Sequence, residues 1–114
     1  MHEMSIVKSI IDIVAGESEK AGGGEVSEVE LEIGTLAGIE YDSLEFAIKA
    51  LKPGSIIEKS RVIIQKPHGE AFCMDCENEF VTDSPVNSCP SCGSYGCSIV
   101  KGKELRVVSI LIDK

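Results

Sequence analysis

Leu105-Arg106-Val107-Val108-Ser109-Ile110-Leu111-Ile112, close to the end of a 114-residue chain, governs how the rest is organised. The run is rich in β-branched residues and apolar on both faces, which is the composition of a strand. A strand needs a neighbour, and the other strand-like runs all lie before a segment that holds every cysteine. The cysteines therefore sit in an insertion into an α+β domain rather than in a tail.

Earlier in the chain, Arg61-Val62-Ile63-Ile64-Gln65-Lys66 reads as a second strand, stopped by Pro67-His68-Gly69. Val29-Glu30-Leu31-Glu32-Ile33 alternates strictly, with Glu28, Glu30 and Glu32 on the wet face of a third. Ile6, Val7, Ile10, Ile11, Ile13 and Val14 recur at helical spacing and predict a helix over about 4–20. Gly22–Gly24 closes it, since glycine takes the left-handed cap conformation without a Cβ clash. Asp42 followed by Glu45 reads as a second helix start, with Leu44, Ala47, Ile48 and Leu51 as its apolar stripe and Pro53-Gly54 as its end. The expected fold is α+β: a small mixed three-stranded sheet with two helices, plus an inserted four-cysteine, zinc-ribbon-like module. The expected division is 1–70 with 101–114 as one domain and 71–100 as a zinc-binding domain.

Charge and composition exclude several functions. The net charge is −8, with 11 basic against 19 acidic side chains, and aromatics make up only 4%. That balance disfavours a phosphate backbone, and so few aromatics give little on which to stack bases. No stretch approaches the roughly 18 apolar residues of a membrane span. The start, Met1-His2-Glu3-Met4-Ser5, lacks the basic patch and apolar run of a secretory signal. A cytoplasmic chain with reduced thiols is the expectation.

Cys73-Met-Asp-Cys76 and Cys89-Pro-Ser-Cys92-Gly are separated by 12 residues. Each Cys-x-x-Cys knuckle turns tightly enough to aim two sulfurs at one point, so that four thiolates close a tetrahedron around Zn²⁺. Between them only Phe80, Val81 and Val86 are candidate core residues, so metal ligation has to supply the stabilisation. A closed four-thiolate site has no open coordination position, which makes the zinc structural. The competing readings are two unrelated cysteine pairs, a rubredoxin-like iron electron carrier, and a zinc-ribbon nucleic-acid or protein-binding module. The segment from Cys73 to Cys97 contains four acids and no Lys or Arg, which counts against nucleic acid. Cys97 lies outside the paired motif and reads as a small buried hydrophobe able to substitute as a thiolate if the site rearranges.

The N-terminus offers a second metal chemistry. The α-amine of Met1, the backbone nitrogen of His2 and the His2 imidazole can form adjoining chelate rings. Amine and deprotonated amide nitrogens in one plane favour Ni²⁺ or Cu²⁺ over tetrahedral zinc. No nucleophile or acid–base constellation stands out, and an enzyme is not expected.

With these residues in view, the chain resembles the hydrogenase nickel-incorporation proteins, the HypA/HybF family, along nearly its whole length. Met1-His2-Glu3-x-Ser5, Leu31-Glu32-Ile33-Gly34, the two cysteine knuckles and Gly102-x-Glu104-Leu105 carry the resemblance. It implies a metallochaperone that delivers nickel during maturation of [NiFe] hydrogenase. It also implies a nickel site at Met1, His2 and Glu3, with the acid at Glu40 close by, and a structural zinc module. The implied partners are the nickel GTPase HypB, the hydrogenase large-subunit precursor and, for some members, urease maturation proteins. Certain relatives carry an extra histidine in a longer zinc-module linker, which this chain lacks. Its other histidine, His68, reads as a hinge residue. The oligomeric state is left between a monomer and a module-swapped homodimer.

Overall fold

The computed structural model describes residues 2–84 and 88–113, the side chain of His2 excepted. Its elements are α1 (His2–Lys20), β1 (Glu25–Ile33), α2 (Tyr41–Leu51), β2 (Arg61–Gln65), β3 (Glu70–Cys73), β4 (Glu79–Val81), β5 (Cys97–Lys101) and β6 (Leu105–Asp113). The strands form two three-stranded sheets, ordered β2-β1-β6 and β4-β3-β5. The closing strand does return to the first sheet, where it pairs with β1. The second sheet, built inside the insertion, goes beyond the expected single sheet.

Two compact units divide the chain. One comprises Met1–Leu31, Ile39–Ile64 and Arg106–Lys114; the other comprises Glu32–Gly38 and Gln65–Leu105. In the first unit, Val7, Ile10, Val14 and Ser18 fall on one face of α1 and are buried. Ile13 lies off that stripe and is 50% exposed, so it is not part of the core the spacing suggested. The helix ends in a Schellman cap. The Gly23 N–H donates to the Ser18 carbonyl (2.8 Å) and the Gly22 N–H to the Glu19 carbonyl (3.1 Å), with Gly22 at φ 94°.

Helix α2 packs on α1, and its Leu44, Ala47 and Ile48 are buried. It starts before the Asp42–Glu45 pair: Glu40 is the N-cap, its carbonyl accepting from the Leu44 N–H at 3.0 Å. The Glu40 side chain makes no capping bond.

Along β1, Val29, Leu31 and Ile33 are buried in strict alternation. The Ser27 hydroxyl donates to the Leu111 carbonyl (3.3 Å) and the Ser109 hydroxyl to Glu30 Oε1 (3.2 Å). Residue numbers thus run in opposite senses along β1 and β6, as in an antiparallel pair. Strand β6 is an edge strand, and its apolar residues are not covered on both faces: Val108 is 44% exposed and Leu111 55%. On the other side of β1, the buried Ser60 hydroxyl, just before β2, donates to the Val26 carbonyl at 2.6 Å.

In the second unit β3 pairs antiparallel with both β4 and β5. Within Gln65–Leu105 the buried side chains are few and small: Ala71, Cys73, Thr82 and Cys89. Of the candidate core residues there, Phe80 is half-buried, Val81 is 68% exposed, and Val86 lies outside the described residues. Three-residue β4 is too short to bury a face, which leaves the metal site as the module's organising element.

Candidate metal centre

The two knuckles share one hydrogen-bonding plan. In the first, the Cys73 N–H donates to the Asn78 carbonyl (2.9 Å) and the Glu77 N–H to the Cys73 carbonyl (2.8 Å). In the second, the Cys89 N–H donates to the Ser94 carbonyl (2.8 Å) and the Gly93 N–H to the Cys89 carbonyl (2.8 Å). Each loop turns through a left-handed residue at the same place, Glu77 at φ 62° and Gly93 at φ 77°. Glycine takes that conformation freely; glutamate takes it under strain.

These turns bring Cys73, Cys76, Cys89 and Cys92 together, with all four sulfurs within 4.8 Å of one another. Cys73 and Cys92 are 3.6 Å apart, and Cys76 and Cys89 3.5 Å. A regular tetrahedron with Zn–S near ~2.3 Å has sulfur–sulfur edges of about 3.8 Å. A disulfide needs about 2.05 Å. The donors fit zinc in number, softness and spacing. Cys73 and Cys89 are buried and Cys76 and Cys92 exposed, so the site lies at the surface of the module. Among the described residues this is the only cluster of three or more such ligands.

The electrostatics point the same way. The Cys73 thiol lies below its ordinary value, chiefly through the Cys76 backbone N–H, which outweighs burial. Burial pushes the Cys89 thiol up, but the Cys92 and Ser91 N–H groups overcome it and bring Cys89 down to about 6. The Asn78 N–H pulls the Cys76 thiol down, yet the neighbouring Cys89 thiol and burial push it up to about 12. The Ser94 N–H lowers Cys92, and burial and the Cys73 thiol together raise it above its ordinary value. Thiolates this close repel one another, so two give up their protons easily and two keep them. A divalent cation removes that repulsion and lets all four ionise. The Ser91 N–H, 3.4 Å from Cys89 Sγ, is a donor to one such thiolate.

Polar side chains brace the module. The Ser94 hydroxyl donates to Asp75 and accepts from the Gly96 N–H (3.0 Å), tying the first knuckle to the second. Just after β4, Asp83 Oδ1 accepts from the Thr35 hydroxyl (2.8 Å) and faces His68 Nδ1 (3.2 Å). The Thr35 hydroxyl and then His68 hold the Asp83 carboxyl below its usual range. Sequence reasoning named His68 as a hinge residue but missed Thr35 and Asp83. Partners 15 to 48 positions apart leave no local signature.

Of the residues expected around nickel, Met1 lies outside the described residues, as does the His2 side chain. His2 is the first residue of α1, and Glu3 is half-buried in its first turn. Glu40 is exposed at the start of α2. The first N–H groups of a helix have no partner within it, so the backbone nitrogens of this segment stand outside the α1 ladder.

Comparison with known proteins covers the whole chain. The model of a family described as hydrogenase/urease nickel incorporation, metallochaperone, HypA matches residues 1–112. A hydrogenase maturation factor HypA from Parabacteroides distasonis is 47% identical over 114 residues, covering 100% of this chain and 99% of the relative. The one from Chlorobium luteolum is 41% identical, covering 100% and 97%. The solution structure of the Ni metallochaperone HypA from Helicobacter pylori aligns with a TM-score of 0.67 at 22% identity, covering 96% of each chain. A second HypA solution structure gives 0.70 at 24% identity, covering 98% of this chain and 96% of that one. At those identities the two structures speak to the fold.

Proposed function

Because the chain belongs to the HypA family of nickel metallochaperones for hydrogenase maturation, we propose that it takes up Ni²⁺ at its N-terminus and passes it to the hydrogenase large-subunit precursor. The ligands in this reading are the Met1 amine, the His2 backbone nitrogen and imidazole, and the Glu3 backbone nitrogen, with the Glu40 carboxylate next to them. The observation that carries it is the start of α1 at His2. The nitrogens a planar site needs are those a helix leaves without intrahelical partners, so nickel binding there breaks no helical hydrogen bond. A terminus is also cheap to order and to release, which suits a carrier that must surrender its cargo.

In this reading residues 1–70 with 101–114 carry nickel, and 71–100 hold zinc through Cys73, Cys76, Cys89 and Cys92. Zinc and nickel are kept apart by ligand type, a thiolate tetrahedron for one and planar nitrogens for the other. The nickel GTPase HypB is the immediate partner, and the work is done in the cytoplasm. The family description also covers urease, so urease maturation proteins are a second outlet. The family match favours this reading over rubredoxin-like electron transfer and nucleic-acid binding.

Nickel titration of the untagged protein, with elemental analysis, tests the site. His2→Ala should abolish stoichiometric nickel binding and leave zinc and fold unchanged. Extra residues before Met1 should do the same by removing the free amine. Unchanged nickel stoichiometry and affinity in His2→Ala would overturn the assignment.

A further inference from the structure

Cys97 is the fifth cysteine, outside the tetrad. It opens β5 directly opposite Cys73 in the antiparallel β3–β5 register. The pair is of the non-hydrogen-bonded kind. The Met74 N–H donates to the Gly96 carbonyl (2.9 Å) one step further along, while the Cys73 N–H turns away to the Asn78 carbonyl. In such a pair the two side chains leave the same face of the sheet, with Cβ atoms about 4.5–5.5 Å apart. Cys73 points into the tetrad, so Cys97 emerges on the tetrad's side.

The Cys97 thiol is half-buried and donates only weakly, to the Ser94 carbonyl at 3.6 Å. We propose that Cys97 is a reserve zinc ligand that takes the place of Cys73 when Cys73 is lost or chemically blocked. The replacement set, Cys76, Cys89, Cys92 and Cys97, keeps four thiolates, the same charge and the same softness. The register puts Cys97 opposite Cys73 alone, so the backup is specific to that ligand. This inference rests on the zinc assignment and is independent of the nickel reading.

The test compares zinc and Co²⁺ affinity of full-length Cys97→Ser, Cys73→Ser, Cys89→Ser and Cys73→Ser/Cys97→Ser by chelator competition. Cys97→Ser should bind as the parent does. Cys73→Ser should keep one metal, with affinity within about tenfold of the parent and the cobalt charge-transfer intensity of four thiolates. Cys89→Ser and the double variant should fall by more than roughly a hundredfold, beyond what loss of an outer hydrogen bond produces. Since a serine hydroxyl at buried position 73 disturbs the sheet, Cys73→Ala provides a second variant, read by alkylation and mass mapping. In the zinc-loaded parent Cys97 should be alkylated first, and in zinc-loaded Cys73→Ala it should be protected. Cys73 variants that bind no better than the double variant, or an unprotected Cys97 in Cys73→Ala, would overturn the proposal. Equal retention of zinc by Cys89→Ser would overturn it as well.

Discussion

Gly34 lies against the carbonyl of Gly102 so closely that a β-carbon at Gly34 would stand 2.0 Å from that oxygen and 2.6 Å from Glu104 Oε1. The backbone on both sides is tied: the Gly34 N–H donates to the Glu104 carbonyl (2.9 Å) and the Leu36 N–H to the Gly102 carbonyl (2.8 Å). Glu104 Oε1 in turn accepts from the Gly102 N–H at 3.0 Å. Two motifs far apart in sequence, Leu31-Glu32-Ile33-Gly34 and Gly102-x-Glu104-Leu105, thus meet through Gly34 and Gly102 at one junction within the second unit.

A methyl group cannot enter that junction without moving backbone fixed by three hydrogen bonds. Gly34→Ala should destabilise the zinc-loaded protein by about 2–3 kcal/mol, the upper part of the overpacking range. Gly16→Ala is the control. It sits within α1 with nothing within 4 Å of its would-be Cβ, and should stabilise by about 0.5–1 kcal/mol. Urea unfolding of both variants settles the matter; a Gly34→Ala midpoint at or above the parent's would show that the junction yields without cost.

The two knuckles make opposite predictions from the same geometry. Glu77 holds φ 62° where its counterpart is Gly93 at φ 77°. A left-handed non-glycine residue costs about 1–2 kcal/mol, part of which glycine gives back as chain entropy. Glu77→Gly should therefore stabilise the module by about 0.5–1 kcal/mol. Gly93→Ala should cost about 1–2 kcal/mol by conformation alone, since no atom lies within 4 Å of the added methyl. Thermal melting of the zinc-loaded proteins gives both signs, and a destabilised Glu77→Gly would refute the equivalence of the knuckles.

What the sequence discloses depends on how local the determinant is. The Cys-x-x-Cys spacing is a local constraint, and the four sulfurs do converge. Strand β6 is nine residues of strand-forming composition, so its place in the first sheet was legible. Strands β3 and β4 are four and three residues long, shorter than any period can establish, and the second sheet went unseen. The Asp42–Glu45 spacing mimics a capping box, but the chain becomes helical at Tyr41 with Glu40 as its cap. That boundary is a matter of backbone conformation rather than side-chain chemistry. The Thr35–Asp83–His68 contacts depend on how the chain crosses itself, which no window of sequence contains.

Apolar composition also misleads about burial. Leu31 and Leu111 look alike in sequence, each within a strand, yet Leu31 is 1% exposed and Leu111 55%. Leu31 sits in the central strand and Leu111 in the edge strand of the same sheet. Leu31→Ala should cost about 2–5 kcal/mol through lost burial and a residual cavity. Leu111→Thr should stay within about 0.5 kcal/mol of the parent. Comparable losses in the two variants, measured by denaturant unfolding, would mean that β6 is covered in solution.

Zinc affinity should carry the proton count of the tetrad. Cys76, at about 12, and Cys92, raised above its ordinary value, are both protonated at neutral pH, so zinc must displace at least these two protons. Cys89, at about 6, is a thiolate at pH 7 and competes for a proton only below that point. Raised thiols oppose binding at every pH below their own value, so affinity falls as pH falls. A plot of log affinity against pH should rise with a slope of at least about two near neutrality and steepen by about one on going below pH ~6. Competition against a chelator of known proton affinity, from about pH 5.5 to about 8, reads the slope directly. Since the module's stability is metal-derived, its melting temperature at fixed total zinc should drop over the same interval. A slope near zero around neutrality would show that the four sulfurs are already thiolates before zinc arrives, and would remove the charge-sharing account of the site.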